Sequence, residues 1–199
     1  MARPRSDERR TAILAAATRV IATRGLGAAT AAIAKEAGVS NGSLFLYFDS
    51  KSTLVNELYI DLKAGMGAAV TAGLPTDAAI RDQVHYLWTR WMTWATSFPE
   101  KRRALAQLDV ADNITAETHE KVSLGFRDLA ALLERARSGG PMDDQPLGFV
   151  LGLSTAIIES TADAMIREPE NAAGHSAAGF DAMWRVLASP SRMEATETL

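Results

Sequence analysis

Apolar residues in this chain recur every three or four positions almost from end to end, a spacing that points to packed helices. Ile13, Ala16, Ala17, Val20 and Ile21 make one stripe, and Leu54, Leu58, Leu62 and Met66 make another at a strict four-residue interval. Residues four apart lie on one side of a helix, so each row is a face to be buried. No stretch alternates apolar and polar residues as a half-buried strand would, and no repeat or low-complexity tract intervenes. The expected fold class is all-α.

Caps and breakers set the expected helix limits. Ser6, ahead of Asp7 and Glu8, reads as the cap of a first helix that stops at Arg24-Gly25. Thr30 reads as the cap of a short second helix over 31–37, Gly38 as a left-handed exit and Val39 as a plug beneath the turn. Ser40 opens a third helix over about 41–48, and Ser50 and Lys51 open a fourth that ends near Gly73-Leu74-Pro75. Further helices are expected over 77–97, 101–109, 115–137, 147–167 and 176–188, with a loop at Gly139-Gly140-Pro141 and a polar, frayed tail over 190–199.

The third helix has a polar start and an apolar body. Leu44 and Phe48 are four apart and face inward, which leaves Asn41, Gly42 and Ser43 at the exposed end with Phe45 and Tyr47 flanking the inward row. A short helix buried on its back offers its first turn to a groove, which is the helix-turn-helix arrangement. Asn41 both donates and accepts, the pattern adenine displays in the major groove. Gly42 permits close backbone approach, and Phe45 suits a thymine methyl. The helix starts at Thr30, Ser40 and Lys51 would present N–H groups to phosphates. Charge agrees: residues 1–51 hold eight basic and four acidic residues, whereas the rest holds thirteen and twenty. Arg3, Arg5, Arg9 and Arg10 would add salt-sensitive contacts.

Two other constellations stand in the remainder. In "VHYLWTRWMTWATSF", over 84–98, Trp88, Trp91, Met92 and Trp94 crowd one helix and read either as core or as an aromatic cavity wall. His85, Gln107, Asp109 and Glu159, with Asp112 and Asn113, are polar candidates for that chamber, where acids beside tryptophan would suit a cationic aromatic ligand. Gly148, Gly152, Ala156 and Ser160 recur at four-residue spacing, and Phe180, Met183, Trp184 and Leu187 share a face of the last helix. Both rows read either as a four-helix interface between two copies or as cover for the chain's own core.

Several classes drop out. The chain has no cysteine, which removes disulfides and thiolate metal sites. The three histidines are far apart in sequence, and no HExxH, phosphate loop or nucleophile elbow is present, so no enzyme, cofactor or metal site is expected. The first residues lack the apolar centre of a signal peptide, and the apolar stretch over 147–158, cut by Glu159 and Asp163, reads as too short to span a bilayer. A cytoplasmic protein without a membrane partner is expected.

Gly25, Thr30, Ile33, Ala34 and "AGVSNGSLFLYFDSKSTLV" over 37–55 resemble the N-terminal region of the TetR family of transcriptional regulators. The resemblance implies a three-helix helix-turn-helix domain at 1–50, a helical ligand-binding and dimerisation domain at 51–189, and the tail at 190–199. It implies a homodimer on palindromic double-stranded operator DNA and a small-molecule effector of unstated identity, most simply a repressor released by that effector. Asn41, Gly42, Ser43 and Phe45 match positions facing bases or adjacent phosphates. Tyr47 matches an aromatic whose hydroxyl reaches phosphate, Lys51 a backbone-anchoring lysine, and Thr30 a phosphate contact. Phe45 departs from the tyrosine many relatives carry, which removes a hydroxyl. The rival reading is a helical adaptor whose head binds protein.

Overall fold

A computed structural model of the chain describes the backbone of residues 3–188 and the side chains of 6–188; the tail over 190–199 and the side chains of Arg3 and Arg5 lie outside the described residues. Among the described residues there are helices and no strands, which agrees with the all-α expectation. Contacts divide the chain into two compact units, one holding residues up to Ala68 with Ser97–Phe126, the other Ala69–Thr96 with the residues from Arg127 onward.

The first unit is built on α1 (Arg3–Arg24), α2 (Thr30–Glu36), α3 (Asn41–Leu44), the larger part of α4 (Lys51–Thr71), α6 (Pro99–Leu108) and α7 (Ala116–Gly125). The two stripes read from the sequence are its core: Ile13, Ala16, Ala17, Val20 and Ile21 are buried on α1, and Leu54, Leu58, Leu62 and Met66 on α4. Ile33 and Ala34 of α2, and Leu44 and Phe48, are buried as well. α6 packs on α1, where Gln107 Nε2 donates to the Ile21 carbonyl at 3.0 Å.

Several helix limits differ from expectation, and α6 and the last helix, α10 (Ala172–Leu187), begin earlier than read, at Pro99 and Ala172. α1 begins at Arg3, so Ser6 lies inside the helix rather than capping it; Pro4 is tolerated in a first turn, where its missing N–H costs nothing. Ala29 is the residue before α2 and makes no side-chain cap, so Thr30 is the first helical residue and not the cap. The helix expected over 115–137 is two, α7 and α8 (Arg127–Arg137), interrupted at Phe126. Phe126 packs where α4 carries Gly67, whose missing Cβ would lie 3.1 Å from the ring. α5 (Ile80–Ser97) begins late because the Gln83 amide donates to the carbonyls of Thr76 and Ala78 and holds that stretch as turns.

The second unit is made by α5, α8, α9 (Leu147–Arg167) and α10 (Ala172–Leu187), the last two joined through a 3-10 turn at Pro169–Asn171. α5 runs antiparallel to α10. Arg81 meets Asp181 and stacks over Phe180 and Trp184, His85 packs its edge on Phe180, and Trp88 Nε1 donates to Ser176 Oγ at 3.1 Å. Arg137 organises the loop after α8, its Nη1 donating to the carbonyls of Met142, Asp143 and Gln145. Gly140 in that loop passes so close to Leu187 that a Cβ would stand 2.2 Å from its carbonyl oxygen.

α9 corrects one expectation. The apolar stretch does not end at residue 158: the helix has 21 residues, and an 18-residue window reaches a mean hydropathy of 1.4, enough by length and composition to cross a bilayer. It packs along α10 in the fold, with Val150, Ser154, Ile158, Thr161 and Ala162 buried.

Gly179 on α10 marks a close helix crossing in this unit, since a Cβ there would lie 2.3 Å from Thr161 Oγ1 and 2.9 Å from Trp88 Cζ2. Gly179→Ala should therefore destabilise the protein by ~1–3 kcal/mol through overpacking. Urea titration followed by circular dichroism measures the loss, and adding Thr161→Ala should recover part of it.

Candidate functional site

The site begins with a turn that aims a very short helix. After α2 the Val39 N–H bonds the Ala34 carbonyl at 2.9 Å and the Gly38 N–H bonds that of Lys35 at 3.2 Å, a Schellman closure. It needs a left-handed residue, and Gly38 supplies φ of 69°. Ser40 then caps α3 by accepting from the Ser43 N–H at 3.0 Å, and the two hydroxyls bond each other at 2.8 Å.

α3 itself spans only Asn41–Leu44, not the whole of 41–48. The chain continues in turns in which Leu46 N bonds Ser43 O, and Tyr47 N and Phe48 N bond Leu44 O. Four residues form no appreciable helix dipole. What holds the segment is burial. Leu44 and Phe48 are 0 % exposed, and Arg10 of α1 lies over the Phe48 ring at 5.3 Å.

The outward face is the complement of that anchorage. Asn41, Gly42, Phe45 and Leu46 are exposed, with Ser43 and Tyr47 half-buried. Leu46, 83 % exposed, is hidden from sequence reasoning by the apolar run around it; its position between Leu44 and Phe48 is the signal that turns it outward.

The expected flanking contacts fare unevenly. Lys51, the first residue of α4, directs Nζ to the Leu26 carbonyl at 2.7 Å, bracing the loop between α1 and α2. Ser50, rather than Lys51, caps α4 by accepting from the Thr53 N–H. Arg10 pairs with Glu57, and both Arg9 and Arg10 are exposed. Arg19 and Glu36 bridge α1 and α2 at 2.7 Å.

Side chains on α4 bind this unit's more distant segments. The buried Asn56 amide donates to the Asn113 carbonyl at 3.0 Å and accepts from the Thr115 N–H at 2.9 Å. Tyr59 donates to Asp109 Oδ1 at 2.7 Å, and Lys63 Nζ lies 2.7 Å from the same oxygen. Burial first, then the hydrogen bond and the negative charge of Asp109, push the Tyr59 phenol above its usual value near 10.

The sequence-derived ligand residues are not gathered in one unit. Gln107 and Asp109 belong to the first unit, where the Ile21 carbonyl and the Tyr59–Lys63 pair engage them. Trp88, Met92 and Trp94 are buried in the second unit, and Trp88 is satisfied by Ser176. His85 is exposed and Glu159 half-buried. The Trp91 indole N–H is buried and finds no acceptor among the described residues. Of the interface candidates, Phe180, Met183 and Leu187 are buried against their own unit, because α10 turns that face toward α5 and α9. Gly148, Gly152 and Ala156 are exposed on α9, and Trp184 is half-buried.

Residues 13–58 match the bacterial regulatory proteins of the tetR family. The fold resembles that of a candidate tetR family transcription regulator from Shewanella sp. PV-4, at 23 % identity over 92 % of this chain and 99 % of that one, with a TM-score of 0.81. It also resembles a TetR family transcription regulator from Marinobacter aquaeolei VT8, at 19 % identity over 94 % and 98 % of the chains, TM-score 0.78. A third similar structure is the TetR-like regulator LfrR of Mycobacterium smegmatis in complex with proflavine, at 19 % identity over 92 % and 99 %, TM-score 0.65.

Two measurements check the geometry around α4. Asn56→Ala removes the ties to the Asn113 carbonyl and the Thr115 N–H and should cost ~0.5–1.5 kcal/mol per hydrogen bond by chemical denaturation. Because Tyr59 ionises less readily folded than unfolded, stability should fall as pH rises above about 10, where the unfolded chain releases the proton first. Tyr59→Phe should flatten that alkaline limb in a pH series of melting curves.

Proposed function

We propose, from the match of residues 13–58 to the tetR family and the likeness of fold, that the chain is a ligand-responsive repressor of that family that binds a palindromic operator as a homodimer and is released by a small molecule. The reading head lies in 1–50, and 51–189 supplies ligand binding and dimerisation. The protein acts in the cytoplasm and catalyses no reaction. The observation that carries this reading is the short segment held by buried Leu44 and Phe48, which leaves Asn41, Gly42 and Phe45 outward within the matched residues. Asn41 reads a base edge, Phe45 adds apolar contact, and Ser43, Tyr47, Thr30 and Lys51 fix position on the backbone.

The outer face of α9 is the dimer surface. Gly148, Gly152 and Ala156 let a second helix approach closely, and Phe149 and Leu151, 52 % and 39 % exposed, supply apolar area beside them. Trp184 borders that surface. A second copy of the chain, rather than lipid, covers α9, since two reading heads about one duplex turn apart require a pair.

Ligand binding belongs to the aromatic unit. All four tryptophans, Trp88, Trp91, Trp94 and Trp184, lie in the second unit, and the partnerless Trp91 N–H awaits an acceptor that an effector would bring. The proflavine complex of the Mycobacterium smegmatis protein supports a small-molecule site in this fold. An effector that prefers one arrangement of the pair weakens the operator, and the operator weakens the effector by the same factor.

Three outcomes test the proposal. A selected duplex should bind with a steep inverse dependence on salt, ~0.9 units of log K per log salt for each phosphate neutralised; a flat dependence favours the adaptor reading. Asn41→Ala should relax preference at one base position by ~1–3 kcal/mol without lowering the melting temperature. Gly152→Glu, at a site where a Cβ meets nothing within 4 Å, should yield folded monomers in sedimentation and lose duplex affinity.

A further inference from the structure

The chain has four asparagines, Asn41, Asn56, Asn113 and Asn171, and only Asn41 is followed by glycine. The backbone nitrogen of a following residue can attack an asparagine side chain within the same chain, which makes the step intramolecular. A Cβ on the attacking residue crowds that approach, and glycine has none. The other three asparagines are protected. Asn56 is buried, and its amide donates to the carbonyls of Ser52 and Asn113 and accepts from the Thr115 N–H. The Asn171 amide meets His175, and Ala172 follows it. Asn113 is exposed, but the β-branched Ile114 follows it. Asn41 is exposed, and among the described residues its amide bonds nothing.

The attacking group is free as well. The Gly42 N–H lies in the first turn of α3, where no intrahelical acceptor exists, and the cap oxygen, Ser40 Oγ, is taken by the Ser43 N–H. The space beside Gly42 is open, since a Cβ there would meet only Ser40 Oγ, at 3.9 Å. Ring closure requires Asn41 to leave its helical backbone geometry. That opening disturbs little, because Asn41 and Gly42 are exposed and the buried anchors, Leu44 and Phe48, lie beyond them. A helix of four residues adds no stability of its own to resist it.

We propose that Asn41-Gly42 is a site of self-modification that gives the head a limited lifetime while its outward face is uncovered. Hydroxide removes the Gly42 amide proton, the nitrogen forms a bond to Asn41 Cγ, and the Cγ–Nδ2 bond breaks to release ammonia. The product is a five-membered cyclic imide. Water then opens the ring: addition at Cγ leaves aspartate, and addition at the main-chain carbonyl carbon leaves isoaspartate, with the chain rerouted through the side chain. Water and hydroxide are the only co-reactants, and nothing is oxidised or reduced. Both products replace a neutral amide, which donates and accepts, by an acceptor-only carboxylate. Resting on the reading that the head binds duplex DNA, the change removes the donor offered to a base edge and sets a negative charge among phosphates. A duplex over this face holds α3 closed, so the loss falls on heads that stand free.

The experiment ages the full-length protein in mildly alkaline buffer, alone and with an excess of a selected duplex, and digests it for mass analysis. A gain of one dalton at Asn41 should outpace any gain at the exposed Asn113, at a rate that rises in proportion to hydroxide. Gly42→Ala, which the fold accepts because this backbone is outside the left-handed region, should slow the gain about tenfold, or about 1.4 kcal/mol on the barrier. Ser40→Ala, which removes the cap, should speed it, and the duplex should slow it. Converted protein and Asn41→Asp should both bind the duplex about tenfold more weakly than fresh protein, with Asn41→Asp melting as before. Equal conversion of Asn41 and Asn113, or an unchanged rate in Gly42→Ala, overturns the site. Converted protein that binds as fresh protein does overturns the limited lifetime. Fresh protein that binds no duplex overturns the DNA reading and that lifetime with it, whereas the mass change is read without DNA.

Discussion

The burial of two residues four apart, Leu44 and Phe48, is the constraint on which the head depends. A helix of four residues has no stability of its own, because nucleation costs more than one turn returns. Its direction comes from the apolar anchorage beneath it and from the turn before it, where Gly38 closes α2 and Ser40 caps α3. With two side chains fixed inward, the residues between and before them are turned out. Exposure of Asn41, Gly42, Phe45 and Leu46 is thus a by-product of packing, and side chains there can vary without disturbing the core.

The rest of the architecture follows a similar division of labour. In the first unit the long helices carry apolar stripes inward, and amides make the long-range ties. Asn56 and Gln107 each bond backbone groups more than fifty residues away. In the second unit aromatic rings take over, with Arg81, His85 and Trp88 of α5 meeting α10 in reverse order. That antiparallel packing consumes the apolar face of α10 and leaves α9 with small, uncovered residues on its outer side.

Periodicity made the all-α class, the stripes of α1 and α4, and the inward pair Leu44 and Phe48 legible in the sequence, because apolar residues at four-residue spacing leave water together only along one side of a helix. Helix ends were less legible. Ser6 and Thr30 are good caps by composition, yet Ser6 lies inside α1 and Thr30 is itself the first residue of α2. The break between α7 and α8 depends on Phe126 finding room at Gly67, a contact no local window contains. Gln107 and Asp109 suit a ligand chamber by residue type, since polar groups beside tryptophans invite that reading. The fold engages both with α1 and α4, and only tertiary approach distinguishes a structural amide from a binding one.

The seating of α6 on α1 ties the first helices to a segment far along the chain. Ala104, Leu105 and Leu108 are buried within the unit that contains the matched residues 13–58, and Gln107 fastens to the end of α1. A segment cut after residue 58 would therefore have its underside bare and would lose the Gln107 amide from the Ile21 carbonyl, which the Gly25 N–H alone would then engage. Altering outward positions in place leaves that packing intact.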